Sequence, residues 1–200
     1  MKLNTLLITL VSGTVMMAFS PIEVIEKLKI KPEASTIEWY AEKVTGKHNV
    51  VVSLKDGIIE IEGNKLKGGS FNVDMTSIVV TDLEGEYKGK LEGHLKSPDF
   101  FDVEKHKTAS FKITQVSSLK DDSEFNTKIT GDLTIKGTTH PISFPAKVEI
   151  KEGKFAAYGE MVIDRSRYNV RYGSTSFFDD LGDKAIYDKF TMKVSIGAKR

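Results

Sequence analysis

The chain has 200 residues, 40% hydrophobic and 28% charged, an ordinary globular composition with room for one domain and its own core. Its 29 Lys and Arg nearly balance 28 Asp and Glu and are spread along the chain, which excludes the basic patch a nucleic-acid partner requires. The absence of Cys excludes disulfides, thiolate chemistry and a lipoprotein-type anchor, so the fold must stand on its core.

Met1 and Lys2 precede the apolar run LNTLLITLVSGTVMMAF, and Ala18 and Ser20 are small residues spaced like the −3 and −1 positions of a signal-peptidase site. Residues 1–20 therefore read as a signal peptide. Pro21 is a poor residue just past such a cut, so the alternative is an uncleaved N-terminal membrane anchor. PIEVIEKLKIKPEAS, residues 21–35, mixes helix formers with Pro32 and carries no strong strand pattern. It is predicted to be a linker or a short helix, with the folded domain spanning 36–200.

From Thr36 onward the apolar residues alternate with a period of two. Phe71, Val73 and Met75 share one face of their segment, as do Ile129, Leu133 and Ile135 further on. Ile142, Phe144, Ala146, Val148 and Ile150 do the same, followed after KEGK, a hairpin turn, by Phe155, Ala157, Gly159, Met161 and Ile163. Phe190, Met192, Val194 and Ile196 close the series. Strands with one dry face, joined at short spacing, predict an all-β antiparallel sheet that packs on a second sheet or closes on itself.

One segment departs from this rhythm. In TDLEGEYKGKLEGHL, Leu83, Tyr87, Leu91 and Leu95 recur every four residues, and Thr81 with Glu84 forms a capping-box pattern. A short helix is predicted there, weakened by three glycines and ended before Ser97-Pro98.

Catalytic chemistry is thin. The His at 48, 94, 106 and 140 form no i, i+4 pair, so neither a metal site nor a cofactor is expected. No nucleophile elbow and no nucleotide-binding glycine fingerprint is present, so no catalytic residue is assigned. The adjacent Phe100-Phe101 and Phe177-Phe178 pairs, set in charged loops, suit a cavity plug, a ligand wall or an interface.

Three long motifs carry a resemblance: LEGHLKSPDFFDVEKHKTASF, GDLTIKGTTHPISFPA and DRSRYNVRYGSTSFFDDLGD. In this order they resemble the YceI-like family of lipocalin-like, polyisoprenoid-binding proteins, from about Ser35 to the C-terminus. The resemblance implies an eight-stranded antiparallel barrel with a short helix near its opening, around an apolar tunnel for the tail of a polyprenyl phosphate or isoprenoid quinone. It also implies export to the bacterial periplasm, a homodimer in many relatives, and contact with a membrane surface for lipid exchange.

Under this reading the ligand-binding residues are Trp39, Phe71, Phe100, Phe101, Phe111, Ile113, Phe144, Phe177 and Phe178, with His48, Arg165 and Arg171 as polar candidates. A guanidinium fork suits a diphosphate or quinone oxygen. For the arginines the nearer expectation is pairing with Asp164, Asp179, Asp180 and Asp183. His48 matches the family's opening motif but is followed by Asn49 where Gly is usual, and it could simply brace a hairpin. The competing function is a structural or stress-related barrel, filled by its own side chains, that binds a protein partner.

Overall fold

The computed structural model describes residues 24–120 and 124–199; the expected signal segment, residues 1–20, lies outside the described residues. Nine antiparallel strands form the body: β1 (Glu26–Ile30), β2 (Thr36–Lys43), β3 (Gly46–Glu62), β4 (Lys65–Val80), β5 (Thr108–Ser118), β6 (Thr127–Ile135), β7 (Thr138–Lys151), β8 (Lys154–Asp164) and β9 (Lys189–Lys199). One helix, α1 (Gly85–Lys96), lies between β4 and β5. Each strand pairs with the next around the circuit β3–β2–β9–β8–β7–β6–β5–β4, and β4 pairs back onto β3 to close it.

The nine strands fill eight positions. β2 lies between β9 and the first half of β3, with Ile37 opposite Val52 and Val194. β1 lies between the same two strands further along, with Leu28 opposite Ile59 and Ile30 opposite Ala198. They are one stave broken at Pro32, which lacks the N–H a ladder needs and starts a 3₁₀ turn over Pro32–Ala34. Ser35 braces the break by donating its hydroxyl to the Lys31 carbonyl while accepting the N–H of Gly197. The eight-stranded barrel expected from the sequence is therefore the one that forms.

Within the linker expected over 21–35, residues 21–23 lie outside the described residues, and residues 26–30 are corrected by the same observation, because Glu26–Ile30 is a barrel strand. Its inward residues Leu28 and Ile30 are buried. Together they contribute about 3–6 kcal/mol of apolar burial, which a free tether would forgo.

The alternation read from the sequence becomes an inward face of aliphatic and aromatic residues and an outward face of Lys, Glu, Thr and Ser. The β7–β8 turn falls at Glu152-Gly153, as KEGK implied, and β6–β7 turns at Lys136-Gly137. Both pairs have positive φ at both positions, the requirement of a two-residue turn that follows strand twist.

Helix α1 begins at Gly85, three residues later than a cap at Thr81 implied. Thr81 instead gives both its N–H and its hydroxyl to the Asn49 carbonyl, so the capping box does not form. Leu83, Leu91 and Leu95 pack on the core, whereas Tyr87 is 75% exposed, leaving one of the four positions of the expected stripe in solvent.

Candidate functional site: the apolar interior and its cap

All strands run between two ends, and one end is covered by α1, the loop over 97–107 and the loop over 165–188. Beneath this cover lies a cavity whose walls come from every strand except β1. Its volume, as the space open to the centres of water molecules, is about 110 Å³. So small a free space, spread along a lining drawn from eight strands, is a narrow passage, the form a slender chain fits. Its lining is almost wholly hydrocarbon; the side chains in it that carry an N–H or O–H are Trp39, Ser110 and Tyr158.

Six of the expected ligand residues line this cavity: Trp39, Phe71, Phe101, Phe111, Ile113 and Phe144. Phe71 on β4 faces Phe111 on β5, their rings stacked with centroids 6.2 Å apart. Phe144 on β7 follows at 5.8 Å from Phe111, so three rings form a belt along one wall. Trp39 stands near the covered end, 5.4 Å from the Phe101 ring and 6.1 Å from Phe190.

The Phe100-Phe101 pair divides between two environments. Phe101 faces the cavity, while Phe100 is turned away from it, 7% exposed, between His94 at 5.7 Å and the Arg165 guanidinium at 5.5 Å. The backbone here is fixed at each residue. Phe100 N–H bonds to Ser97, Phe101 N–H to Leu95, Asp102 N–H to Ser97 and Val103 N–H to Lys96. Lys136, from the β6–β7 turn, donates Nζ to the carbonyls of Pro98 and Phe100, latching the loop to the barrel rim. Burial pushes the Lys136 ammonium below its ordinary pKa, against the pull of Asp102 and Asp99. This latch was not foreseen, since its acceptors are backbone carbonyls.

The polar candidates lie elsewhere. Arg165 is 3% exposed and outside the cavity lining. Its Nε donates to Tyr187, its Nη1 to Val170 and Tyr172, and its Nη2 to Ile186, all at backbone carbonyls. Asp188 lies 3.3 Å from Nη2, in place of the four aspartates expected from the sequence. Burial lowers the Arg165 pKa and Asp188 and Asp164 oppose that, but a guanidinium keeps its proton throughout. With its fork committed to the backbone, Arg165 folds the loop over 165–188 onto the cap.

Arg171, Phe177 and Phe178 sit on the outside of that cap. Arg171 donates Nε to Asn169 and lies over the Phe177 ring at 4.9 Å. It shares with Phe178, Lys136 and Lys184 an open surface depression that has no residue in common with the interior cavity. Phe177 is 39% and Phe178 49% exposed. His48 is farther still, its Nδ1 2.9 Å from Asp82 on the outer rim of the β2–β3 hairpin. Among the described residues no cluster of three or more His, Asp or Glu could hold a metal ion.

These features define a closed antiparallel barrel of the lipocalin-like type, with an apolar interior under a helix-and-loop cap. The YceI-like domain model matches residues 28–198, and the chain belongs to that family. A protein called UPF0312 protein from Ectopseudomonas mendocina is 48% identical over 61 residues, 30% of each chain. One from Pseudomonas putida is 32% identical over 105 residues, 52% of this chain and 50% of the relative. The matched stretches thus span between about a third and a half of these relatives' own length. Among solved structures, Burkholderia cenocepacia BcnA superposes with a TM-score of 0.66 at 18% identity, covering 85% of this chain and 99% of that one. A polyisoprenoid binding domain from Saccharophagus degradans, implicated in plant cell wall breakdown, gives 0.58 at 9% identity, with 86% and 97% covered. At such identities the likeness is one of fold.

Proposed function

We propose that this protein is an exported lipid-binding protein that holds an isoprenoid tail in its barrel, shielding it from water as a carrier, store or buffer in the bacterial periplasm. The observation that carries this reading is the narrow hydrocarbon passage, lined by the Phe71–Phe111–Phe144 belt and covered by Phe101. An apolar space of this shape offers favourable burial to a chain of CH₂ and CH₃ groups at about 0.8 kcal/mol per group, before ordering costs. It offers almost no hydrogen bonds to a polar ligand, which would have to leave its water uncompensated. The polyisoprenoid binding domain of the same fold supports the choice of ligand class.

Binding alone is the role proposed, without catalysis. Export rests on the sequence of residues 1–20. The head group, phosphate or quinone, would stay outside the hydrocarbon passage, and Arg171 on the cap surface is the candidate to meet it, since Arg165 has its donors engaged.

Native mass spectrometry of protein purified from a bacterial envelope without detergent, with extraction of any bound lipid, tests the reading. A stoichiometric prenyl species is expected. A protein that comes out empty and shows no mass shift with polyprenyl phosphate or isoprenoid quinone would favour the competing partner-binding barrel, with Phe177 and Phe178 as the first surface to probe.

A further inference from the structure

At two inward glycines of the barrel, Gly131 and Gly159, an aromatic ring lies over the bare backbone. Gly131 on β6 is opposite Ile113 and buried under Phe111. A Cβ there would overlap Phe111 Cζ, stand 2.6 Å from its Cε2 and 2.5 Å from the Lys112 carbonyl oxygen. Gly159 on β8 is opposite Ala146, and a Cβ there would meet Phe144 Cε2 at 3.0 Å and Cδ2 at 3.1 Å. Neither glycine has a left-handed backbone, so what each position requires is space.

We infer that Gly159 and Gly131 are specificity-determining residues that set the bore of the passage: each is a recess into which the ring of Phe144 or Phe111 lies back against the wall. Ring and recess come from different strands. At Gly159 the nearest obstacle is the Phe144 side chain alone, with the Pro145 carbonyl at an ordinary 3.5 Å. A methyl at 159 therefore displaces the ring. It cannot slide along the wall toward Phe111, which stands 5.8 Å away and is itself stacked on Phe71. The free direction is into the lumen. A recessed ring leaves room for a chain carrying side methyls, as an isoprenoid does, and a ring displaced by even a few tenths of an ångström narrows a passage this tight against the branched chain more than against the straight one. The ligand class in this inference rests on the proposed isoprenoid reading; the bore-setting role does not.

Gly159→Ala is the informative variant, since Gly131→Ala would also strike the Lys112 carbonyl and strain the sheet. Two measurements on the full chain separate the inference from the reading it builds on. Xenon uptake, followed by xenon NMR, reports the free lumen whatever the natural ligand. Binding of farnesol against dodecanol, followed by Trp39 emission, reports discrimination between branched and straight chains. Gly159→Ala is expected to lose most of the xenon uptake and to weaken farnesol by about tenfold or more, the usual effect of a methyl-sized change in an apolar pocket, with dodecanol changed far less. Gly159→Ala with Phe144→Leu should recover both, which a merely unfolded variant would not. Wild-type xenon uptake and farnesol affinity in Gly159→Ala would overturn the inference. Wild-type protein that takes up xenon but binds no farnesol would overturn the isoprenoid reading, leaving the bore-setting role to stand or fall on the xenon loss.

Discussion

The Phe101 ring packs on the Trp39 indole with centroids 5.4 Å apart and planes inclined by 59°, so a residue of the cap loop and a residue of β2 close the covered end of the passage together. Trp39 is the sole Trp of the chain, and its emission reports what happens there. Phe101→Leu is expected to weaken binding of a prenyl alcohol about tenfold through lost wall contact. Phe100→Leu, one residue away, leaves affinity within about twofold, while losing the contact with Arg165 and some packing at about 1–2 kcal/mol. Titration on Trp39 emission, beside thermal melts, separates the two. Equal affinity losses in both variants would show that the pair acts as one plug, contrary to the division seen in the structure.

Arg165 is expected to matter for stability well before it matters for binding. Its guanidinium satisfies four backbone carbonyls of the segment 170–187 and faces Asp188. Arg165→Met leaves those acceptors and a largely buried carboxylate unpartnered, at about 3–5 kcal/mol. Arg165→Lys rescues little, because an ammonium cannot reproduce the planar fork. Urea unfolding measures the loss. A variant as stable as the parent would release Arg165 from the structural role and reopen a role at the head group.

The parts of this molecule legible in its sequence are those written in side-chain periodicity. The belt of Phe71, Phe111 and Phe144 follows from alternation plus burial, and the β7–β8 turn from Glu152-Gly153. What escaped is written in the backbone. β1 is five residues long and interrupted at Pro32, too short for a period of two to stand out, and its place in the sheet depends on partners more than 150 residues away in β9. The Arg165 fork and the Lys136 latch end on carbonyl oxygens, which every residue possesses and no motif marks. Charge proximity in sequence pointed Arg165 to Asp164, Asp179, Asp180 and Asp183; folding brought Asp188 instead.

Tail length should matter up to a limit set by the barrel. Phe190, Met192, Val194 and Ile196 line the cavity along β9, a run of about 20 Å along the strand and about 15 Å along the axis at an ordinary strand tilt. An extended chain advances about 1.2 Å per bond, so the passage encloses about 12 bonds, or three isoprene units. Affinity across geraniol, farnesol, geranylgeraniol and longer prenols is expected to rise about tenfold or more per unit up to three units, then to flatten. An undiminished rise through six or more units would mean that the tail is covered well beyond the cavity described here.

Acid should loosen the covered end first. Burial alone would raise the Asp82 carboxyl, but the Asn49 N–H and the His48 ring that bond to it outweigh burial and hold it below its ordinary value. Asp74 is lowered too, chiefly by the Thr76 hydroxyl and N–H that bond its Oδ1. A carboxylate whose pKa is depressed on folding contributes its full stabilisation above the unfolded value of about 3.9 and loses it as the pH falls through the folded value. Thermal stability should therefore hold from pH 7 to about 5 and decline below about 4. Asp82→Asn should cost about 1 kcal/mol at neutral pH, through the weakened bonds to Asn49 and His48, and flatten the acid decline. Melting curves of both proteins between pH 7 and 3 decide it: parallel declines would place the acid sensitivity on other carboxylates and leave the His48–Asp82 contact without a measurable part in it.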